Sequence, residues 1–324
     1  MHIPARRSHP WLGSIACGLL VWIAQAAWGA STPLSLDEVL KDLAVDSSES
    51  LSAGFVAGLP RRQSLYLDCH RLAFAETTPA DASRSQPLFA VLAPLAARQL
   101  DVMERYFDVL LADQSFAADS EAMAVAYVQF DRARARAELG QFSELRVLEL
   151  EAIYQKYLHR RTASQIAQQQ TRALLAVSLG DIGELPRDLA APSLPPLPET
   201  LPEFDELRAK ASAEFERHGA LVQAGPARIV RERDQQLMEL LLRLELLDAA
   251  WRRVGAESAR NDLKLDQSRT LYEQEVTADL GYSMSQQTRS RFDEQRIDYC
   301  RALAWAEIQA LVGEPVWISA NEGP

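Results

Sequence analysis

Cys69 and His70 adjoin in "LDCHRL" (67–72). A thiolate beside an imidazole can attack a carbonyl or hold a transition metal, provided an orienting group or further ligands stand at the right spacing. No second cluster follows at ligand spacing, so the pair reads as structural. His159, in "YLHRR" (157–161), falls on a polar helix face. The chain carries no G-x-S-x-G elbow, H-E-x-x-H metal pair, phosphate loop or dinucleotide fingerprint. The basic run "RARAR" (132–136) alternates with alanine and is followed by Glu138, which makes a solvated or salt-bridging face rather than an anion site. The many acids lie in helical sequence, where pairing with arginine four residues away is their ordinary role. Tyr106, Phe107, Phe116, Trp251, Trp305 and Trp317 read as packing anchors between helices. These residues form no catalytic set, and the expectation is a protein without enzyme activity, cofactor or metal.

The elements that carry these residues are helical. Of 324 residues, 48% are apolar and 24% charged, with glycine and aromatics sparse and Ala, Leu, Arg, Glu and Gln abundant. Such a mixture builds long helices. The formal charge of -11 argues against a general nucleic-acid-binding role. Arg6 and Arg7 precede the apolar run "WLGSIACGLLVWIAQAAWGA" (11–30), which ends in small residues. This pattern predicts a signal peptide over 1–30 and export to a bacterial periplasm, an uncleaved anchor being the competing reading. No other apolar run of membrane-spanning length exists, and no ladder of amphipathic strands. Two cysteines remain after cleavage, Cys69 and Cys300. An oxidising compartment permits a disulfide between them, but sequence cannot bring their Cα atoms together, and buried free thiols are the plainer expectation.

Leu100, Met103, Phe107, Leu110 and Leu111 recur at steps of three and four, the spacing of one helix face. The pattern predicts a helix from Leu95 to about Leu139 and a second from Phe142 to about Leu179, with Gly140 at the bend of a helical hairpin. A helix of that length spans about 68 Å and must pair with neighbours along its course. "PSLPPLPETLP" (192–202) then breaks all regular structure and reads as an extended linker. After it the pattern returns. Displaced by 135 residues, Arg98 meets Arg233, Met103 meets Met238, Glu104 meets Glu239, Asp113 meets Asp248, Asp131 meets Asp266 and Glu138 meets Glu273. Gly140 falls opposite Glu275, and Phe116 opposite Trp251. The returning arms end alike in "LAVSLG" (175–180) and "IQALVG" (308–313), and "LSLDEVL" (34–40) matches "LPEFDEL" (201–207). The chain thus reads as two copies of one helical unit.

A signal peptide, two long helical hairpins and a proline-rich connector together resemble the TolC-like outer-membrane efflux family. The likeness is carried by "LSLDEVLKDLA" (34–44), "SQPLF" (85–89), "ARARAELGQFSEL" (133–145), "LPPLPETLPEFDELRAKA" (194–211) and "SRTLYEQEVTADL" (268–280). It implies a component of a periplasm-spanning efflux or secretion assembly, a homo-oligomer (a trimer in the family), whose helical tips meet a periplasmic adaptor joined to an inner-membrane pump. By the same resemblance the docking tips are Leu139, Gly140, Gln141, Phe142 and Ser143, with Glu275, Val276, Thr277, Ala278 and Asp279.

The sequence departs from the family in two places. The barrel-strand segments are largely missing: 64–89 could give two short strands at most, and "RHGALVQAGPARIV" (217–230) leaves no room for a pair. The tips differ as well. The family places aspartate six residues after the tip glycine, whereas Arg146 follows Gly140, and Glu275 with Gly281 stand in the second tip. A barrel-less periplasmic coiled-coil scaffold is therefore the alternative reading, located in the periplasm or peripheral to the outer membrane. The expected fold is all-α: two repeated antiparallel hairpins with at most a short residual β-hairpin. The expected organisation is a signal peptide (1–30), a first repeat (31–190), a linker (191–203), a second repeat (204–315) and a tail (316–324).

Overall fold

A computed structural model describes residues 33–46, 64–74, 92–180, 188–218, 226–273 and 280–318. The predicted signal peptide, "SQPLF" and the second tip lie outside the described residues. Seven helices occur among them: α1 (Leu36–Asp46), α2 (Cys69–Ala73), α3 (Pro94–Glu138), α4 (Glu144–Leu179), α5 (Phe204–His218), α6 (Pro226–Glu273) and α7 (Leu280–Val312). The two antiparallel hairpins predicted from the sequence are present, as α3 with α4 and α6 with α7. The hairpins join through α3 and α7, so the long helices lie side by side in the order α4, α3, α7, α6.

Local sequence sets the helix ends. Ser35 and Glu38 form a capping box at α1: the Glu38 amide donates to Ser35 Oγ (3.2 Å) and the Ser35 amide to Glu38 Oε2 (3.3 Å). Pro94 opens α3, where its missing N–H costs nothing. Gly180 ends α4 with φ 80° and Gly313 follows α7 with φ 77°, so both returning arms stop at a left-handed glycine. The linker at 190–203 has no helix. It starts from a parallel bridge of Leu34 with Leu189, and Tyr106 Oη lies 2.6 Å from the carbonyl oxygens of both Leu34 and Ala190.

The core sits at the base, away from the hairpin tips. Leu100, Met103, Tyr106 and Phe107 of α3 are buried there with Leu237 and Leu240 of α6 and Ile308 and Leu311 of α7. Phe107 stacks on Tyr299 with ring centroids 4.4 Å apart, and Trp317 tilts against Phe107 while its Nε1 donates to Asp37 (2.8 Å), bringing the C-terminal segment back onto α1. Toward the tips the buried positions of α3 shrink to Ala118, Ala126 and Ala133. Those of α6 become Val254, Ser258, Asn261 and Leu265, at steps of four, three and four. This is the seam of a two-helix coil rather than a globular core.

One expectation needs correction. Cys69 and Cys300 form a disulfide, with Cα atoms 5.3 Å apart, rather than free thiols. The base core brings α2 and α7 together across 231 residues of sequence, a proximity that spacing does not encode. Within 64–89 the described residues 64–74 form a turn and the short helix α2, with no strand. Asp108, buried on α3, explains the turn: its two carboxylate oxygens accept the amides of Leu65 (2.8 Å) and Tyr66 (2.7 Å), and Glu104 accepts from Ser64 Oγ. Burial nonetheless pushes the Asp108 carboxyl above its ordinary range.

Candidate partner-docking site

The first hairpin tip follows from four residues. Leu139 closes α3, and Gly140 takes φ 70°, a conformation that any side chain would strain. The Gly140 amide donates to Ala137 O (2.8 Å) and the Gln141 amide to Arg136 O (2.9 Å), satisfying the last carbonyls of the helix. Ser143 then caps α4, its Oγ accepting the Arg146 amide (3.3 Å). A Cβ built at Gly140 meets nothing within 4 Å, so backbone conformation alone demands glycine there. Gln141 and Ser143 are exposed, and the Arg136 guanidinium carbon lies over Phe142, 5.4 Å from the ring centroid. Leu139 and Leu145 are 73% and 67% exposed, so the bend presents two large apolar side chains to solvent.

The expected second tip, Glu275, Val276, Thr277, Ala278 and Asp279, lies outside the described residues. Its flanks are described. α6 ends at Glu273, 135 residues after the end of α3 at Glu138. Gly281 has a packing role: a Cβ there would lie 2.8 Å from Val125 Cγ2 on α3. The glycine lets α7 approach α3 just below the tip.

Below the tips the arms are held by polar pairs and rings. Arg172 binds Asp113 through both Nη atoms (2.8 and 2.7 Å), Arg160 pairs with Asp119 (2.8 Å), and Tyr154 stacks on Phe130 at 5.8 Å. In the second hairpin Asn261 donates to Ser290 Oγ (2.6 Å), and the Ser268 and Ser283 hydroxyls are 2.8 Å apart. Between the hairpins Gln114 donates to Gln295, and Thr288 donates to Glu121 (2.6 Å).

The structure adds a feature that tip motifs do not reveal. α4 packs along α3 and stands at one edge of the row; α6 stands at the other. Both carry an exposed, largely uncharged stripe facing no other described helix. On α4 the exposed Leu145, Leu148, Ala152, Ile166, Ala173 and Val177 recur at heptad-related steps, and the intervening positions 155, 159, 163 and 170 are Gln, His, Ala and Gln. On α6 the stripe comprises Met238, Leu242, Leu246, Ala249, Ala256 and Leu263, interrupted by Arg253, which pairs with Glu257 at 3.0 Å, and by Arg260, which donates to Asn261 Oδ1 (3.1 Å). The signal was present in the sequence as a second apolar face on each edge helix.

The residues that raised chemical possibilities are accounted for structurally. Cys69 is in its disulfide, and His70 Nδ1 lies 3.2 Å from Glu239 Oε1 while its ring stacks on Phe74. His159 is exposed on α4. Among the anchors, Tyr106 and Phe107 are buried, Phe116 lies under Arg161, and Trp251 departs from expectation, exposed beneath Arg301 at 5.4 Å. A shallow groove between the linker (Leu194–Glu199) and α6 and α7 is lined by Leu244, Asp248, Asp298 and Arg301. Among the described residues no group of three or more His, Cys, Asp or Glu could hold a metal, and no helix is long and apolar enough to cross a membrane.

No family model matches the chain, and no curated protein does. Solved structures are similar in fold. One concerns conformational changes accompanying folding and transmembrane channel formation in CusC: 13% identity, covering 76% of this chain and 72% of that one, TM-score 0.47. Another is a membrane protein from Pseudomonas aeruginosa: 13% identity, 86% and 74% coverage, TM-score 0.48. A third is the open state of the MtrE outer membrane channel of Neisseria gonorrhoeae: 14% identity, 68% and 71% coverage, TM-score 0.36. Each is a likeness of helical arrangement and not of residues.

Proposed function

We propose that this chain is a TolC-like component of a periplasm-spanning efflux or secretion assembly, acting without chemistry as an oligomeric helical tunnel or docking element. The carrying observation is the row of four long helices, whose two edge helices each keep an exposed, largely uncharged stripe while the first tip offers Leu139 and Leu145 to solvent. A row with two open edges and a protruding bend suits assembly and docking. Export by the 1–30 segment, a periplasmic adaptor and an inner-membrane pump belong to the same reading through the sequence resemblance. A homotrimer is its oligomeric form.

A barrel-less periplasmic scaffold that conducts nothing is the second reading. It is favoured by residues 64–74, which hold a turn and a disulfide-tied helix where strand would be needed. Two measurements decide. A photo-crosslinking residue at Leu139 or Val276 in the native host is expected to capture an adaptor or pump subunit. Crosslinks confined to an exposed mid-helix position such as Trp251, and absent from the tips, would overturn tip docking. Resistance of the mature protein to carbonate or urea extraction supports the tunnel, and release by either supports the scaffold.

A further inference from the structure

We propose that the groove between the proline linker and helices α6 and α7 binds a linear polyamine, a slender chain of methylenes carrying several ammonium groups. The site goes beyond the assembly reading and does not rest on it, since its lining comes from one chain.

The linker explains why a groove exists there. Pro195, Pro196 and Pro198 keep 194–199 out of regular helix, so the segment lies beside α6 and α7 without a helix face to pack on them. Leu194 and Leu201 hold it against the core. The space left is about 570 Å³, within the range of roughly 300–1,000 Å³ of small-molecule sites.

Three features of the lining select the ligand class. The first is charge. Glu199 of the linker, Glu245 and Asp248 of α6 and Asp298 of α7 share the lining with a single guanidinium, that of Arg301. Arg301 reaches Asp248 at 3.4 Å and Asp298 only at 3.9 Å, and the exposed Arg252 also pairs with Asp248. Glu199 and Glu245 are exposed and have no ion-pair partner among the described residues. Burial keeps the Asp298 carboxyl above its ordinary range despite Arg301, so one arginine does not satisfy the acids around it.

The second feature is hydrogen bonding. Proline has no N–H, and no carbonyl of 194–199 accepts a backbone amide from the described residues, so this wall offers acceptors and few donors. An ammonium group donates and does not accept. The third is the apolar surface between the acids, from Leu197 and Pro198 on the linker and Leu244 and Ala302 on the helices, against which methylenes pack.

The spacing disfavours other cations. No three acids among the described residues stand close enough to hold a metal ion, so a point charge serves the groove poorly. Charges strung along a flexible apolar chain reach separate carboxylates in turn. A basic peptide would bring its own carbonyls against a wall that is short of donors.

The test uses the chain purified after export, with its disulfide intact, at physiological ionic strength and with spermidine as the probe. Equilibrium dialysis should show saturable binding of one spermidine per chain. Putrescine, with one ammonium fewer, should bind about two- to fivefold more weakly, the scale of one exposed ion pair. Glu199→Gln and Glu245→Gln should each weaken spermidine by the same factor, and the double variant by about tenfold. Glu138→Gln, an equal charge change at the far end of α3, should leave binding unchanged. All three positions are exposed, so melting temperatures without spermidine should match wild type. Spermidine should raise the melting temperature of wild type and Glu138→Gln, and raise that of the double variant less.

Absence of saturable binding, equal weakening by Glu138→Gln, or full affinity in the double variant would each overturn the site. Magnesium competing as well as spermidine would show that the groove only collects point charges. A lysine–leucine–lysine tripeptide amide displacing spermidine at lower concentration would assign the groove to a protein partner. Either of these results also overturns the proposal. Tip crosslinking and membrane extraction read the assembly role alone, so that role and this site can fail separately.

Discussion

The base and the arms of the same helices are built on different principles. At the base, α1, α2 and the C-terminal segment wrap α3, α6 and α7 around Phe107, Tyr106, Leu237 and Ile308, and the Cys69–Cys300 disulfide ties the layers together. In the arms the same helices touch only lateral neighbours, through Ala126, Ala133, Ser258 and Asn261, leaving their outer faces open. Buried apolar contact and exposed surface are thus divided between the two regions. The base holds most of the large buried apolar side chains, while the arms bury mainly small and polar ones and leave their outer faces exposed.

The comparison breaks first at Phe107. Phe107→Ala removes a fully buried ring stacked on Tyr299 and is expected to cost about 3–5 kcal/mol, read as a shift in the urea midpoint. Tyr154→Ala in the arm removes a half-buried ring stacked on Phe130, and about 1–2 kcal/mol is expected there. Equal costs would mean that the arms carry a core of their own. Hydrogen exchange sharpens the same contrast: amides of 100–111 and 297–311 should be protected longer than those of 122–135 and 146–165.

Next in size is the disulfide. Cys300→Ser opens a loop of 231 residues, and about 2–4 kcal/mol of stability should be lost, with the loss concentrated at α2 and its contacts on α6 and α7. Reducing agent should reproduce the shift in wild type and leave the serine variant unmoved. A reductant effect of equal size in Cys300→Ser would show that the disulfide is not its source.

Much of this arrangement was legible in the sequence, for local reasons. The heptad-like spacing of Leu100, Met103 and Phe107, the glycine at 140 and the prolines of 192–202 each act within a turn or two of helix, and the helices, bend and linker fall within a few residues of the expected places. What escaped was everything that depends on distant segments meeting. The pairing of Cys69 with Cys300, the Asp108 carboxylate that folds 64–67 onto α3, and the choice of α4 and α6 as edges are tertiary facts with no short-range signature. Gly281 is instructive. Compared with a family pattern it reads as a missing aspartate, yet its neighbour Val125, 156 residues away, gives it a steric role.

Two glycines near the tips separate backbone strain from crowding. Gly140→Ala is expected to cost about 1 kcal/mol because φ 70° is unfavourable for a side chain, although the site is open. Gly281→Ala should cost about the same for another reason, because its Cβ would press on Val125. The double variant Gly281→Ala with Val125→Ala should recover most of that loss, whereas no neighbouring truncation should rescue Gly140→Ala. Rescue of both, or of neither, would remove the distinction.

The smallest effect concerns protons at Asp298, on α7 at the base beside Tyr299. Burial pushes its carboxyl above the ordinary carboxylate range, against the opposing pull of Arg301, with Glu294 adding to the rise and a hydrogen bond from Trp251 opposing it. The folded chain therefore binds a proton at Asp298 more readily than the unfolded chain does. Such a group costs stability above its folded pKa, and the cost is relieved as pH falls through that pKa toward the unfolded value. An asparagine side chain cannot ionise, so Asp298→Asn should gain stability relative to wild type at pH 7 and lose that relative gain as pH falls to about 4, the ordinary carboxylate pKa. The measurement is the difference in melting temperature between variant and wild type at several pH values. A difference that stays constant, or grows toward acid, would mean that pairing with Arg301 outweighs burial and that Asp298 belongs with the solvated charges of the arms.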